Sequence, residues 1–117
     1  MAYIDVFCGP VATSDKDVYI AYAKTMQAMA LSAGALSVTA SWGSDFPEGR
    51  ATTFQMAVKA RGDETVVTRI VKWKSKEARD AGWAEMMKPT DPPAAPIAMP
   101  FDRSRVIMGG FDILSEG

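Results

Sequence analysis

The chain of 117 residues contains no histidine and only one cysteine, Cys8. Without histidine, no mechanism can use an imidazole as base, proton shuttle or metal ligand. A single cysteine cannot form an internal disulfide, and it argues against tetrahedral zinc and iron–sulfur sites. We therefore predict that the protein uses neither a metal nor a cofactor.

An excess of positive charge and a long apolar run are also missing. The 13 Lys and Arg residues are balanced by 14 Asp and Glu, which leaves a net charge of −1 and no basic footprint for phosphates. No run approaches the roughly 20 apolar residues of a spanning helix. The first residues, MAYIDVFCGP, lack the basic start and apolar stretch of a signal peptide. We expect a cytoplasmic protein that binds neither nucleic acid nor membrane.

What the chain does contain fits one globular domain over residues 1–117. Hydrophobic residues make up 48% and charged residues 23%, which is the balance of an ordinary globule. A chain of this length buries about two-thirds of its unfolded surface, which is enough for a thin core but not for two domains.

Four segments combine alternating polarity with β-branched and aromatic residues, and they predict strands. These segments are residues 2–11, 35–42, 64–73 and 104–114. The pair Gly9-Pro10 is expected to mark the fraying end of the first strand. The adjacent Gly109 and Gly110 in the last strand predict a β-bulge or a close approach of another backbone.

Two segments predict helices. Apolar residues recur at spacings of three and four over residues 15–33, with Ser14 as N-cap and Gly34 as the stop. The second helix follows a Ser75 cap, in KEARDAGWAEMMK. Residues 52–60 fit either a helical turn or a strand, and we favour a short helix. The proline-rich PTDPPAAP predicts an exposed extended loop, because proline has no N–H to donate.

The order strand, helix, strand, strand, helix, strand predicts an α+β, ferredoxin-like fold. Right-handed crossovers place both helices on one face of a four-stranded antiparallel sheet. The other face would then lie bare and expose a larger apolar patch than monomers usually do. We therefore predict a homodimer that packs sheet against sheet.

Several motifs carry a resemblance to a known family. They are AYIDVF, FPEGRATTFQMAVKA, DETVV, SKEARDA and above all MPFDRSRVIMGGF, at residues 99–111. Together they resemble the YbaA-like family of small uncharacterised bacterial proteins over nearly the whole chain. The resemblance implies a dimeric α+β barrel, and it implies no activity.

The candidate site residues leave structural and functional interpretations open. Asp5 lies in an apolar strand, where a carboxylate is costly unless paired, so it is either a general base or a structural anchor. We favour the anchor but keep Asp5 as the best single catalytic candidate. Tyr3, Trp42 and Thr68 are predicted to line a ligand pocket with it. Arg105 is predicted either to pair with a carboxylate across the sheet or to bind an anionic ligand.

Two classes of function follow from these residues. The first is a dimer that binds a small molecule in a sheet-face pocket, or a cofactor-independent enzyme of oxygenase or isomerase type, the latter by analogy of fold alone. The second is a non-catalytic stress or interaction protein whose sheet face is consumed by dimerisation. Cys8 has no basic neighbour in sequence to activate it, so we expect a packed, inert thiol.

Overall fold

The computed structural model describes residues 1–90 and 99–117, which form an α+β domain. The strands are β1 (Tyr3–Ala12), β2 (Ser37–Trp42), β3 (Glu64–Trp73) and β4 (Ile107–Asp112). The α-helices are α1 (Lys16–Ser32), α2 (Phe54–Ala57) and α3 (Lys76–Met86). The four strands form one antiparallel sheet in the order β2-β3-β1-β4. This order is compatible with a ferredoxin-like fold.

The two central strands, β1 and β3, pair along their full length, from Tyr3 opposite Trp73 to Ala12 opposite Glu64. Pro10 lies inside this pairing, so the expectation that Gly9-Pro10 ends the strand is wrong. The reason is that β4 pairs with β1 only as far as Cys8. On the side of β1 that faces β4, Pro10 therefore has no strand partner and needs no N–H donor. Proline is tolerated at such an unpaired edge.

Helices α1 and α3 cover one face of the sheet. Tyr19, Ala23 and Ala30 of α1 are buried against odd-numbered residues of β1 and β3, as a strand's period of two requires. Gly34 ends α1 at a positive φ of 108°. The Ala35 and Gly34 amides donate to the carbonyls of Ala30 and Leu31, which is a Schellman motif and confirms the predicted stop.

One of the two predicted helix caps is present. Ser75 does cap α3, since its hydroxyl accepts from the Ala78 amide at 3.0 Å. Ser14 does not cap α1, because it lies in a 3₁₀ turn, Thr13–Asp15, that precedes the helix. On α1, Tyr19 and Tyr22 are buried, whereas Val18 is exposed.

The other face of the sheet is only partly bare. The segment 43–60 includes α2, which confirms the short helix, and it folds back over Cys8 and Val66 with Phe46 and Val58. The rest of this surface, here called the open face, comprises Val6, Ile70, Ile107 and Phe111, which share a side by strand register.

Two further predictions concern the end of the chain. The last strand begins at Ile107 rather than residue 104, because Arg103–Arg105 form a 3₁₀ turn. Most of the proline-rich stretch PTDPPAAP lies outside the described residues.

Candidate functional site

The structure brings two of the predicted site residues, Tyr3 and Asp5, into one buried cluster with Trp73 and Arg79. Trp73 Nε1 donates to Asp5 Oδ2 at 3.0 Å, and Arg79 Nη1 lies 3.7 Å from Asp5 Oδ1. Arg79 Nη2 also donates to the Tyr3 hydroxyl at 3.2 Å. Asp5 is thus held by a ring nitrogen and an arginine, which is the arrangement expected of a structural anchor.

Asp5 is fully buried, and its Oδ1 atom makes no hydrogen bond within the described residues. Burial raises the pKa of Asp5, and the Trp73 hydrogen bond and the Arg79 charge oppose that rise. A base must reach its substrate. Asp5 lines neither the cleft between α1 and residues 99–108 nor the groove between the segment 43–60 and the open face, so this geometry does not support a catalytic role for it.

The other predicted ligand-binding residues lie apart from this cluster. Trp42 packs on Tyr19, with ring centroids 5.9 Å apart, and Lys16 lies over its ring. Thr68 shares the side of Cys8, opposite Tyr3 and Asp5, although its carbonyl accepts a hydrogen bond from Tyr19. Arg105 lies near the start of β3, next to Glu64. The structure does not bring the five residues into one pocket.

A cleft of about 380 Å³ lies instead between α1, the helix-covered face of the sheet and the segment 99–108. We call it the binding cleft. Its walls are aromatic and aliphatic, its described lining residues include two arginines, and no aspartate or glutamate is among them. The lining side chains used below are Phe7, Tyr19, Tyr22, Ala23, Arg69, Met99, Phe101 and Arg103.

The MPFDRSR part of the long motif builds the outer wall of the binding cleft. Asp102 Oδ1 accepts from the Ser104 amide at 3.0 Å and from the Ser104 hydroxyl at 2.7 Å, a pattern typical of aspartate in turns. Phe101, one residue earlier, packs edge-on against Tyr22 with centroids 5.1 Å apart. The turn therefore holds an aromatic ring over the side of α1.

Arg105 fixes this turn to the sheet. Its guanidinium donates two bonds to Glu64, of 2.7 and 2.8 Å, and a third to the Lys59 carbonyl at 3.0 Å. The Arg105 hydrogen bonds lower the pKa of Glu64 from 4.5 to about 2. Of the two predicted roles for Arg105, the structure supports the pairing with a carboxylate across the sheet.

Arg69 is the residue of the binding cleft that the sequence reasoning missed. It lies on β3 opposite Phe7 and faces the helices, where strand register puts apolar residues such as Val67 and Val71. Its guanidinium carbon lies over the Phe7 ring, 4.3 Å from the ring centroid, and 5.9 Å from the ring centroid of Tyr22. The segment ETVVTRIVKW does indicate this residue, because its arginine occupies a position where the alternation of the strand predicts a buried apolar side chain.

Gly110 is required for a different reason from the predicted bulge or backbone approach. The pairing of β4 with β1 runs without interruption from Ile107 to Asp112, so this strand has no bulge there. A Cβ built on Gly110 would instead collide with the Tyr3 hydroxyl and lie 2.7 Å from the ring atoms Cε2 and Cζ. The glycine makes room for the phenol that Arg79 binds.

Cys8 is buried, and burial raises the pKa of its thiol, as expected for an inert cysteine. In residues 1–90 and 99–117, no group of three or more Cys, Asp or Glu side chains could hold a metal ion. No helix within the same ranges combines the length and hydropathy needed to cross a membrane.

Comparison with known proteins places this site in a family. The model of the family described as "Protein of unknown function (DUF1428)" matches residues 2–103. The chain belongs to the DUF1428 family. Uncharacterized protein YbaA from Escherichia coli (strain K12) is 39% identical to this DUF1428 member over 116 residues, which is 99% of each chain.

Uncharacterized protein YbaA from Shigella flexneri is similar to the same extent. These matches confirm the resemblance carried by MPFDRSRVIMGGF. Membership of DUF1428 attaches no activity to the chain, and its function is unknown.

Proposed function

We propose that this DUF1428 member binds a small organic molecule in the binding cleft and does not transform it. The observation that carries the proposal is a cleft of about 380 Å³ with aromatic walls and a partly buried arginine. Ligand sites typically combine such volumes with apolar walls and a few polar groups.

The contents of the binding cleft favour binding over catalysis. Its described lining residues offer the side chains of two tyrosines and two arginines, but no carboxylate that could act as a general base. Burial raises the pKa of Tyr19, so its hydroxyl stays protonated and supplies no phenolate base. The described lining residues therefore give the oxygenase-like and isomerase-like alternatives no general base.

The proposal includes assembly as a homodimer through the open face, which would give a dimeric α+β barrel. Support comes from the exposed fractions of Ile70, Ile107 and Phe111, which are 40, 48 and 54%. Adjacent apolar side chains this exposed are typical of a contact surface. The binding cleft lies on the other side of the sheet, so both features can coexist.

A cleft-filling substitution tests the binding proposal. Ala23→Leu places three more carbons in the binding cleft, so we expect at least a tenfold loss of affinity for a naphthalene-sized probe. Ala28→Leu, at an exposed position of the same helix, is the matched control and should bind like the parent. Calorimetric titration with 2-naphthoate and with its neutral amide measures the affinities, and thermal melts confirm that both variants fold.

If neither probe binds the parent protein, or if Ala23→Leu binds both probes as tightly as Ala28→Leu does, the binding cleft is not a ligand site for compounds of this size.

A further inference from the structure

We infer that the natural ligand of the binding cleft is a small aromatic carboxylate whose carboxyl group is bound by Arg69. This inference rests on the proposed binding function and adds the chemical class of the ligand to it. Its basis is an arginine that is partly buried in an aromatic cleft and has no carboxylate partner among residues 1–90 and 99–117.

Arg69 differs from the other partly buried arginines of the described chain. Arg79 lies within 4 Å of Asp5 and Asp80, and Arg105 is bound by Glu64 and Asp102. Arg69 has no carboxylate within that distance in residues 1–90 and 99–117, and its ring contacts with Phe7 and Tyr22 supply no counter-charge. A charge taken partly out of water is normally paired, so the missing anion indicates a place for one.

The contact with Phe7 leaves the hydrogen-bond donors of Arg69 available. The guanidinium carbon lies over the Phe7 ring, 4.3 Å from its centroid, and an aromatic ring offers the N–H groups no oxygen acceptor. None of these donors has an acceptor among the described residues, and no Arg69 nitrogen is sealed from solvent. A guanidinium is a planar fork of donors, which matches the two oxygens of a carboxylate.

The surrounding side chains define the rest of the ligand. Tyr22 and Phe101 pack edge to face at the side of the binding cleft, and Tyr19 closes the end near β3. The Tyr22 hydroxyl makes no hydrogen bond with the described residues and is a second donor for a bound acceptor. Aromatic walls of this kind favour a flat, apolar body attached to the anion.

A carboxylate fits this site better than a phosphate group. Phosphate carries close to two charges and offers more acceptor oxygens, so its sites gather several cations or backbone amides. In the binding cleft Arg69 is the inner cation, and Arg103 is exposed at its edge. One inner guanidinium between aromatic rings matches a single negative charge.

The experiment compares two probes of one shape and different charge, 2-naphthoate and 2-naphthamide. We expect the parent protein to bind the carboxylate at least tenfold more tightly than the amide. Arg69→Met should remove that preference and leave the affinity for the amide within about threefold, because the methionine keeps an apolar stem on Phe7. Arg50→Met removes the same charge from an exposed loop position and should keep the full preference.

Arg69→Lys provides a second variant in case Arg69→Met does not fold. It keeps the charge but loses the fork, so a preference smaller than that of the parent is expected. Three outcomes would overturn the inference: equal affinity of the parent for both probes, an undiminished preference in Arg69→Met, or tighter binding of 2-naphthyl phosphate than of 2-naphthoate. Failure of both naphthalene probes to bind would overturn the binding function as well, whereas equal binding of both leaves that function standing.

Discussion

Gly110 has no space for a methyl group, because the Tyr3 phenol lies against its backbone. Tyr3 cannot move aside without cost, since it is buried and its hydroxyl accepts a hydrogen bond from Arg79. We expect Gly110→Ala to lower the free energy of unfolding by about 1–3 kcal/mol through overpacking. Denaturant melts at neutral pH measure the change.

The neighbouring glycine supplies the control for this prediction. A Cβ on Gly109 would lie 3.3 Å from the Phe111 ring, which is half exposed and free to shift. Gly109→Ala should therefore cost far less than Gly110→Ala. Equal effects of the two substitutions would show that glycine serves the strand backbone and not the Tyr3 contact.

Single residues also show how far sequence reasoning reaches. Asp5 was conspicuous because a carboxylate stands out in an apolar strand, and the structure does give it partners. Arg69 was missed because its importance depends on strand register, which sets it opposite Phe7 and beside Tyr22, 47 positions earlier in the chain. Such cross-strand and helix–sheet neighbours are not encoded in any local pattern.

At the scale of elements, the sequence predicted those strand and helix bounds that depend on residues nearby in the chain. The bounds of β3, Glu64–Trp73, agree with the sequence because the turn before it and the cap after it lie within a few residues. The continuation of β1 through Pro10 could not be foreseen, because it depends on where β4 stops pairing.

The link between the MPFDRSR turn and β3 should make stability depend on pH. The pKa of Glu64 is lowered in the folded protein from 4.5 to about 2, so its stabilisation is complete above 4.5 and is lost as the pH falls toward 2. We expect Glu64→Gln to be less stable than the parent by about 1–3 kcal/mol at neutral pH, since bonds to a charged group are lost. The difference should shrink as the pH falls through that window.

Denaturant melts of the parent and the variant across this pH range measure the difference. Glu48→Gln is a suitable control, because Glu48 is exposed and makes no ion pair within the described residues. A difference between parent and Glu64→Gln that stays constant from neutral pH to pH 2 would contradict the proposed charge pairing.

At the scale of the whole molecule, the element order led to the antiparallel sheet and to the helices on one of its faces. The folding of residues 43–60 over the opposite face was not foreseen, since a loop without strong periodicity gives no sign of where it packs. That cover lies on Cys8 and Val66 and reaches the edge of the open face, where Val6, Ile107 and Phe111 line a groove with residues of the cover. The apolar surface available for a dimer is therefore smaller than the sequence predicted.

Sedimentation equilibrium at micromolar concentration should give about twice the chain mass. Ile70→Lys places a charge in the middle of the open face, where burial against a second copy would be costly, so this variant should sediment as a monomer. Ile20→Lys is matched in chemistry and exposure, since both isoleucines are 40% exposed, but Ile20 lies on α1. It should remain a dimer. A monomeric parent protein would contradict the proposed dimer. A dimer that is disrupted by Ile20→Lys but not by Ile70→Lys would place the interface on the helical side of the sheet, where it would compete with the binding cleft.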